Sequence, residues 1–179
     1  TYGEFYHNCG NNELLNQTLT ILALSEKDEA NYKAEPMDEI ENTKLTASDL
    51  IGQLKLERHV EGGCFKRVYE SKYKVQIHEE SERLIASAIY FLLEGHDFSA
   101  FHRLKSDEIW AYNYGSPLTI FLIEQDGSLK QMTLGNPENP TFQVTIGANQ
   151  WFAAEVNDKS SFTLMSCFVA PGFEYHDFE

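Results

Sequence analysis

From Cys64 onward the chain is a succession of short β-type runs closed by turn residues, and this rhythm limits the fold more than any other feature. Cys64 to Tyr69, Tyr73 to His78 and Arg83 to Leu93 come first; the last is apolar on both faces, as expected of a strand buried between layers. Two runs follow, one through Ala100, His102 and Leu104, the other through Glu108, Trp110, Tyr112 and Tyr114. Then come Pro117 to Glu124, Leu129 to Leu134, Phe142 to Ile146, Trp151 to Val156 and Ser161 to Val169. Asp126-Gly127, set between two alternating runs, predicts a hairpin. Strands this short and this regularly spaced predict an all-β antiparallel sandwich or barrel.

The portion before residue 46 is of another kind. Leu14, Leu15, Leu19, Leu22 and Leu24 give a helical pattern, and the acidic stretch from Glu26 to Glu41, interrupted by Pro36, reads as a solvated linker. The chain therefore divides into an N-terminal extension over 1–45, partly helical and acidic, and a β domain over 46–179. At the boundary, Thr46 or Ser48 can cap a short helix whose apolar face is Leu50, Ile51 and Leu54.

A formal net charge of −14 over 179 residues would repel nucleic acid and anionic membranes, which leaves a small molecule or a protein as partner. The apolar share of 42% is enough to build a core. No apolar run has transmembrane length, and no signal-peptide pattern opens the sequence. Cys9, Cys64 and Cys167 are odd in number, far apart and without CxxC spacing, so reduced thiols and a cytoplasmic location are expected.

Strict alternation puts Ala100, His102 and Leu104 on one face of their strand, and Glu108, Trp110, Tyr112 and Tyr114 on one face of the next. A His and a Glu then project into one space walled by aromatics, the layout of a pocket. Both suit proton transfer, and both can ligate a metal. A metal needs three or four converging ligands, whereas His59, His78, His96 and His176 read as surface histidines of turns and termini. Trp110, Tyr112, Tyr114, Trp151 and Phe152 can stack a planar ring or a sugar, and Gln150, just after Gly147, can hydrogen-bond a ligand at a barrel rim. Arg103 and Lys105 alternate away from the pocket, with salt bridging as their ordinary use; Lys105, at a strand end, can also reach a phosphate or carboxylate. Cys64 and Cys167 fall within strands and read as small buried side chains.

The run Phe101-His102-Arg103-Leu104-Lys105-Ser106-Asp107-Glu108-Ile109-Trp110, with Gly115-Ser116-Pro117-Leu118 after it, resembles an uncharacterised single-domain branch of the cupin superfamily. Glu61-Gly62-Gly63-Cys64-Phe65, Ala88 to Leu93 and the ending Ala170 to Glu179 agree in order and spacing. The resemblance implies a double-stranded β-helix, or jelly-roll barrel, with a pocket in its mouth and a homodimeric state. In the general cupin pattern the metal ligands are His-x-His, a Glu and a later His. The resemblance places His102 and Glu108 at the first His and the Glu, Leu104 at the second His and Gln150 at the later one. No cofactor is expected, or at most a divalent metal held weakly by His102, Glu108 and Gln150. The superfamily also contains metal-free nucleotide-sugar epimerases, such as the dTDP-dehydrorhamnose 3,5-epimerases, which use a barrel His as base and a Tyr as acid. That similarity implies a metal-independent epimerase or isomerase of a sugar or nucleotide-sugar. His102 would be its base, Tyr112 its acid and Glu108 a further proton-handling group, with Lys105, Trp110, Gln150 and Phe152 holding the ligand. The alternative is a non-catalytic module that binds or stores a small molecule.

Overall fold

The computed structural model describes residues 44–60, 62–78 and 81–179, so the expected N-terminal extension lies almost wholly outside the described residues. The first element is a helix, α1 (Ala47–Leu54), and its start is set by Thr46. The Thr46 hydroxyl accepts from the Asp49 backbone N–H while the Asp49 carboxylate accepts from the Thr46 N–H, a reciprocal capping box. Lys55, at a φ of 55°, ends the helix in the left-handed region. Leu50 is buried, with Ile51 and Leu54 packed beside it, as the sequence spacing predicts.

Twelve strands follow among the described residues: β1 (Glu57–Arg58), β2 (Cys64–Glu70), β3 (Lys74–His78), β4 (Ser81–Leu84), β5 (Ser87–Glu94), β6 (Phe98–His102), β7 (Asp107–Gly115), β8 (Leu118–Ile123), β9 (Leu129–Leu134), β10 (Gln143–Ile146), β11 (Phe152–Val156) and β12 (Phe162–Ala170). They form a six-stranded sheet in the order β1-β2-β5-β12-β7-β10, a four-stranded sheet in the order β6-β11-β8-β9, and the separate pair β3-β4. Every pairing is antiparallel. The two larger sheets enclose one core, to which they contribute Phe91, Trp110, Ile120, Phe152 and Met165. This is the all-β jelly roll that the sequence implies. The Asp126-Gly127 turn joins β8 to β9 as expected, with Gly127 N–H donating to Glu124 O.

A second apolar cluster lies behind the six-stranded sheet, where α1 covers Cys64, Leu92, Phe162 and Leu164. β5 therefore buries both faces, Phe91 and Leu93 toward the barrel and Leu92 toward the helix. The run Arg83 to Leu93, however, is not one strand. It breaks at Ile85-Ala86, and β4 pairs only with β3. On the β4 side of the break stands Arg83, a buried cation whose partners are in the C-terminal segment rather than in the barrel wall.

Two bulges alter the faces that strict alternation assigns. His102 faces Phe152 and Ser99 faces Ala154, so β6 carries one residue more than β11 between these pairs. Ser99 and His102 are consequently both inside, 1% and 4% exposed, while Phe98 and Phe101 point outward at 60% and 48%; Ala100 does not share the face of His102. In β7, Tyr112 faces Met165 and Tyr114 faces Leu164, which leaves Asn113 as the extra residue. Tyr112 stays against the barrel core, whereas Tyr114 turns to the helix-side cluster and packs on Phe162 with ring centres 6.0 Å apart. The expected common face of Glu108, Trp110, Tyr112 and Tyr114 thus ends at Tyr112. A bulge re-aims side chains in this way because the extra residue shifts the pleat by half a period.

Candidate active site

The barrel opens at one end into a cavity of about 590 Å³ measured out to its mouth, of which about 50 Å³ accepts the centre of a water molecule. Its inner wall is apolar, with Phe65, Ile89, Phe91, Leu104 and Val169; set into this wall are His102, Glu108 and Trp110. The structure therefore brings together His102 and Glu108, the pair the sequence pointed to.

The bulge in β6 determines the state of His102. It turns the Ala100 carbonyl toward the imidazole, at 2.7 Å from Nδ1. A carbonyl only accepts, so Nδ1 carries the proton and Nε2 carries the lone pair. Burial pushes the His102 pKa down from 6.5 to about 4, against the opposing pull of the Ala100 carbonyl, so the ring is neutral at pH 7. Phe152 packs against it at 4.1 Å between ring centres and Phe178 at 5.4 Å.

Glu108 is shifted the other way. It enters from the start of β7, and burial raises its pKa from 4.5 to about 7, with the nearby Trp110 side chain pulling it partly back. Its Oε2 and the Trp110 indole Nε1 are both fully buried, and beyond their mutual approach neither completes a hydrogen bond of good geometry. Buried polar atoms so incompletely satisfied are costly, and both belong to side chains that line the cavity, where a ligand can complete them. Trp110 is fixed edge-on by Phe91 and Phe152, each with its ring centre 5.7 Å away.

Other sequence-derived candidates lie elsewhere. Tyr112, implied as the acid, does not line the cavity; its hydroxyl donates to Gly115 O at 2.6 Å, and its ring covers Gly135, where any larger side chain would collide with it. Gln150 sits in the turn before β11 with its backbone N–H on Gly147 O, also outside the lining. The residue facing His102 across the sheet is Phe152, two positions further on. Lys105 and Arg103 reach the C-terminal segment, Lys105 at 3.9 Å from Asp177 and Arg103 at 2.5 Å from Glu179, so salt bridging is what the structure gives them. Trp151 lies under the Arg103 guanidinium at 5.0 Å.

Three features of the cavity were not visible in the pattern. His59, expected at the surface, lines the cavity, edge-on to Phe65 at 4.8 Å, and burial lowers its pKa. It is presented by the turn of Gly62 and Gly63, where His59 N–H donates to Gly63 O; Gly63 has a φ of 69°, and a Cβ there would come within 2.6 Å of Leu92 O. Phe173, Tyr175 and Phe178 close the cavity from the C-terminal segment. That segment is tied down by Arg83, buried and 2.5 Å from the buried Asp177, and by Arg103, whose backbone exchanges hydrogen bonds with Glu179 at 3.0 and 3.2 Å. The third is Arg67, at the rim.

The donor set does not suit the metal shell of the general cupin pattern. Leu104 presents carbon where the second imidazole would stand and Phe152 presents carbon opposite His102, so of that pattern the cavity keeps only His102 and Glu108 as potential ligands. Among the described residues, Glu94, His96 and Asp97 bring three potential ligand atoms within 4.8 Å of one another, but this is the β5–β6 turn outside the cavity lining, with Arg58 paired to Asp97 at 3.2 Å. No helix among the described residues is long and apolar enough to cross a membrane.

Known structures share this architecture. A hypothetical protein from Leishmania major is 32% identical, with a TM-score of 0.71 over 75% of this chain and 86% of that one. A protein of Shewanella oneidensis of known crystal structure is 36% identical, with a TM-score of 0.69 over 76% of this chain and 84% of that one. Oxalate decarboxylase from Bacillus subtilis aligns at a TM-score of 0.51 and 13% identity, over 68% of this chain and 28% of that one, a likeness of fold alone. No curated protein matches the sequence significantly. Residues 48–179 match the family described as Cupin superfamily (DUF985), and the chain belongs to that family.

Proposed function

We propose that this cupin is a metal-independent isomerase or epimerase of a small sugar-type molecule, working by proton transfer between His102 and Glu108. The observation that supports the reading is the opposed protonation of two groups in one apolar cavity, a neutral base and a neutral acid at the same pH. His102 Nε2 takes the proton from a carbon next to a carbonyl, the carbon–hydrogen electron pair becomes the enol double bond, and the Glu108 carboxyl gives its proton to the carbonyl oxygen. Reversal, with the proton returned to the other face or to the adjacent carbon, restores both groups and leaves no net change but the rearranged substrate. The Trp110 N–H supplies a second donor for the oxygen as charge develops on it. Glu108, not Tyr112, takes the part of the acid, because the Tyr112 hydroxyl is committed to Gly115 O outside the cavity.

The test is incubation in D2O with a panel of sugars and sugar derivatives, following loss of the carbon-bound proton signal by NMR. Exchange should appear with the wild type and fall about a thousandfold in His102→Ala, within the usual range for removing a general base. The rate should be highest between about pH 4 and 7 and decline above, where Glu108 loses its proton. A ligand that binds saturably and keeps its proton throughout would establish the binding or storage module instead.

A further inference from the structure

We infer that the substrate carries an anion, a carboxylate or a phosphate, and that Arg67 at the cavity mouth is the residue that selects it; this rests on the proton-transfer reading only for the orientation of the ligand. The inward residues of β2 are Phe65 and then Arg67, which faces Ile89 of β5. The bulge that follows, between Arg67 and Tyr69, ends this inward series at the rim. Arg67 is the one Lys or Arg among the residues lining the cavity. Both lining histidines are shifted toward the neutral form, so the deep wall offers no fixed positive charge. The guanidinium is held at the rim by the Phe173 ring, 5.9 Å below it, and by an ion pair with Glu70. That pair is partly solvent-exposed, at 36% and 49%, and such pairs are weak enough to yield to an incoming anion.

Size sharpens the class. The cavity is narrow, with room for only a small molecule among its lining side chains. A small hydroxy-carbonyl compound bound among His102 and Glu108 then has its charged end at the mouth, where a guanidinium grips it with two parallel hydrogen bonds. Short sugar phosphates and sugar acids have this shape.

The experiment is calorimetric titration of the full chain with matched probes, D-ribose 5-phosphate against D-ribose and D-glucuronate against D-glucose, repeated with Arg67→Gln and Glu70→Gln. Wild type should prefer each anion by about tenfold or more. Arg67→Gln should remove the preference at an unchanged melting temperature, and Glu70→Gln, which frees the guanidinium, should increase it. Equal affinity for charged and uncharged probes, an unaltered preference in Arg67→Gln, or no binding of either anion at millimolar concentration would each overturn the assignment. Because binding is read apart from exchange, the two readings fail separately. Arg67-dependent anion binding without proton exchange sinks the reaction and keeps the site, whereas exchange of uncharged sugars at equal rates in Arg67→Gln does the reverse.

Discussion

The two ends of β7 are built to opposite rules. At its start, Glu108 and Trp110 bury polar atoms whose hydrogen bonding is incomplete, beneath a segment fastened by ion pairs. At its end the polar groups are paired: Tyr112 donates to Gly115 O, and the buried Thr163 donates to Ser116 O at 2.8 Å. One strand thus runs from unsatisfied polarity at the mouth to completed packing at the other end. Local departures from good packing chemistry of this kind collect at functional sites, and the rest of the core sustains them.

The comparison breaks first on a packing change. Leu134 is fully buried beside Gly135, and Leu134→Ala should lower unfolding free energy by about 3–4 kcal/mol in urea, with binding and exchange per folded molecule unaltered. If that variant loses its chemistry in proportion to its stability, the two ends are not independent.

A smaller effect concerns pH. The folded protein keeps a proton on Glu108 that the unfolded chain releases, so this group lowers stability as pH rises from about 4.5 to 7. His102 does the opposite: the unfolded chain binds a proton the folded ring refuses, so stability rises as pH goes from about 4 to 6.5. Where these windows overlap, the two slopes nearly cancel. Glu108→Gln should uncover the His102 slope, a gain on the order of 3 kcal/mol between pH 4 and 6.5. A variant as flat as the wild type would mean that the imidazole is not held neutral by burial.

Smallest is Tyr112→Phe, which deletes one hydrogen bond and should cost about 1 kcal/mol of stability while leaving proton exchange intact. Loss of exchange in this variant would return the acid role to Tyr112 and erase the distinction between the ends.

Much of this was legible from residue order. Thr46 and Asp49 announce the cap, Asp126-Gly127 the hairpin, and the runs around His102 and Glu108 converge on one cavity. What escaped did so for definite reasons. Alternation counts residues, and a bulge adds one without leaving a mark in composition, so Ala100 and Tyr114 were given the wrong face. Cross-strand register is set by the whole sheet, so counting on from Gly147 picked out Gln150 where the facing residue is Phe152. His59 reads as a turn residue because it is one; only the fold carries that turn over the cavity. The apolar stretch through Ile85 hid a strand break, and the partner of Arg83 lies far along the chain, at Asp177, where local spacing carries no sign of it.

The extra residue in β6 has a consequence at the level of the gene. Between Ser99 and His102 the number of codons matters as well as the imidazole itself, since the bulge keeps both residues inward three positions apart and supplies the Ala100 carbonyl that sets the tautomer. Loss of one codon there would give an even pleat in which the imidazole still faces Phe152 on the inward side of Ser99, but without the bulge that sets the Ala100 carbonyl against Nδ1. Relatives that retain His102 but differ by one residue in this interval are therefore better sorted by length than by motif.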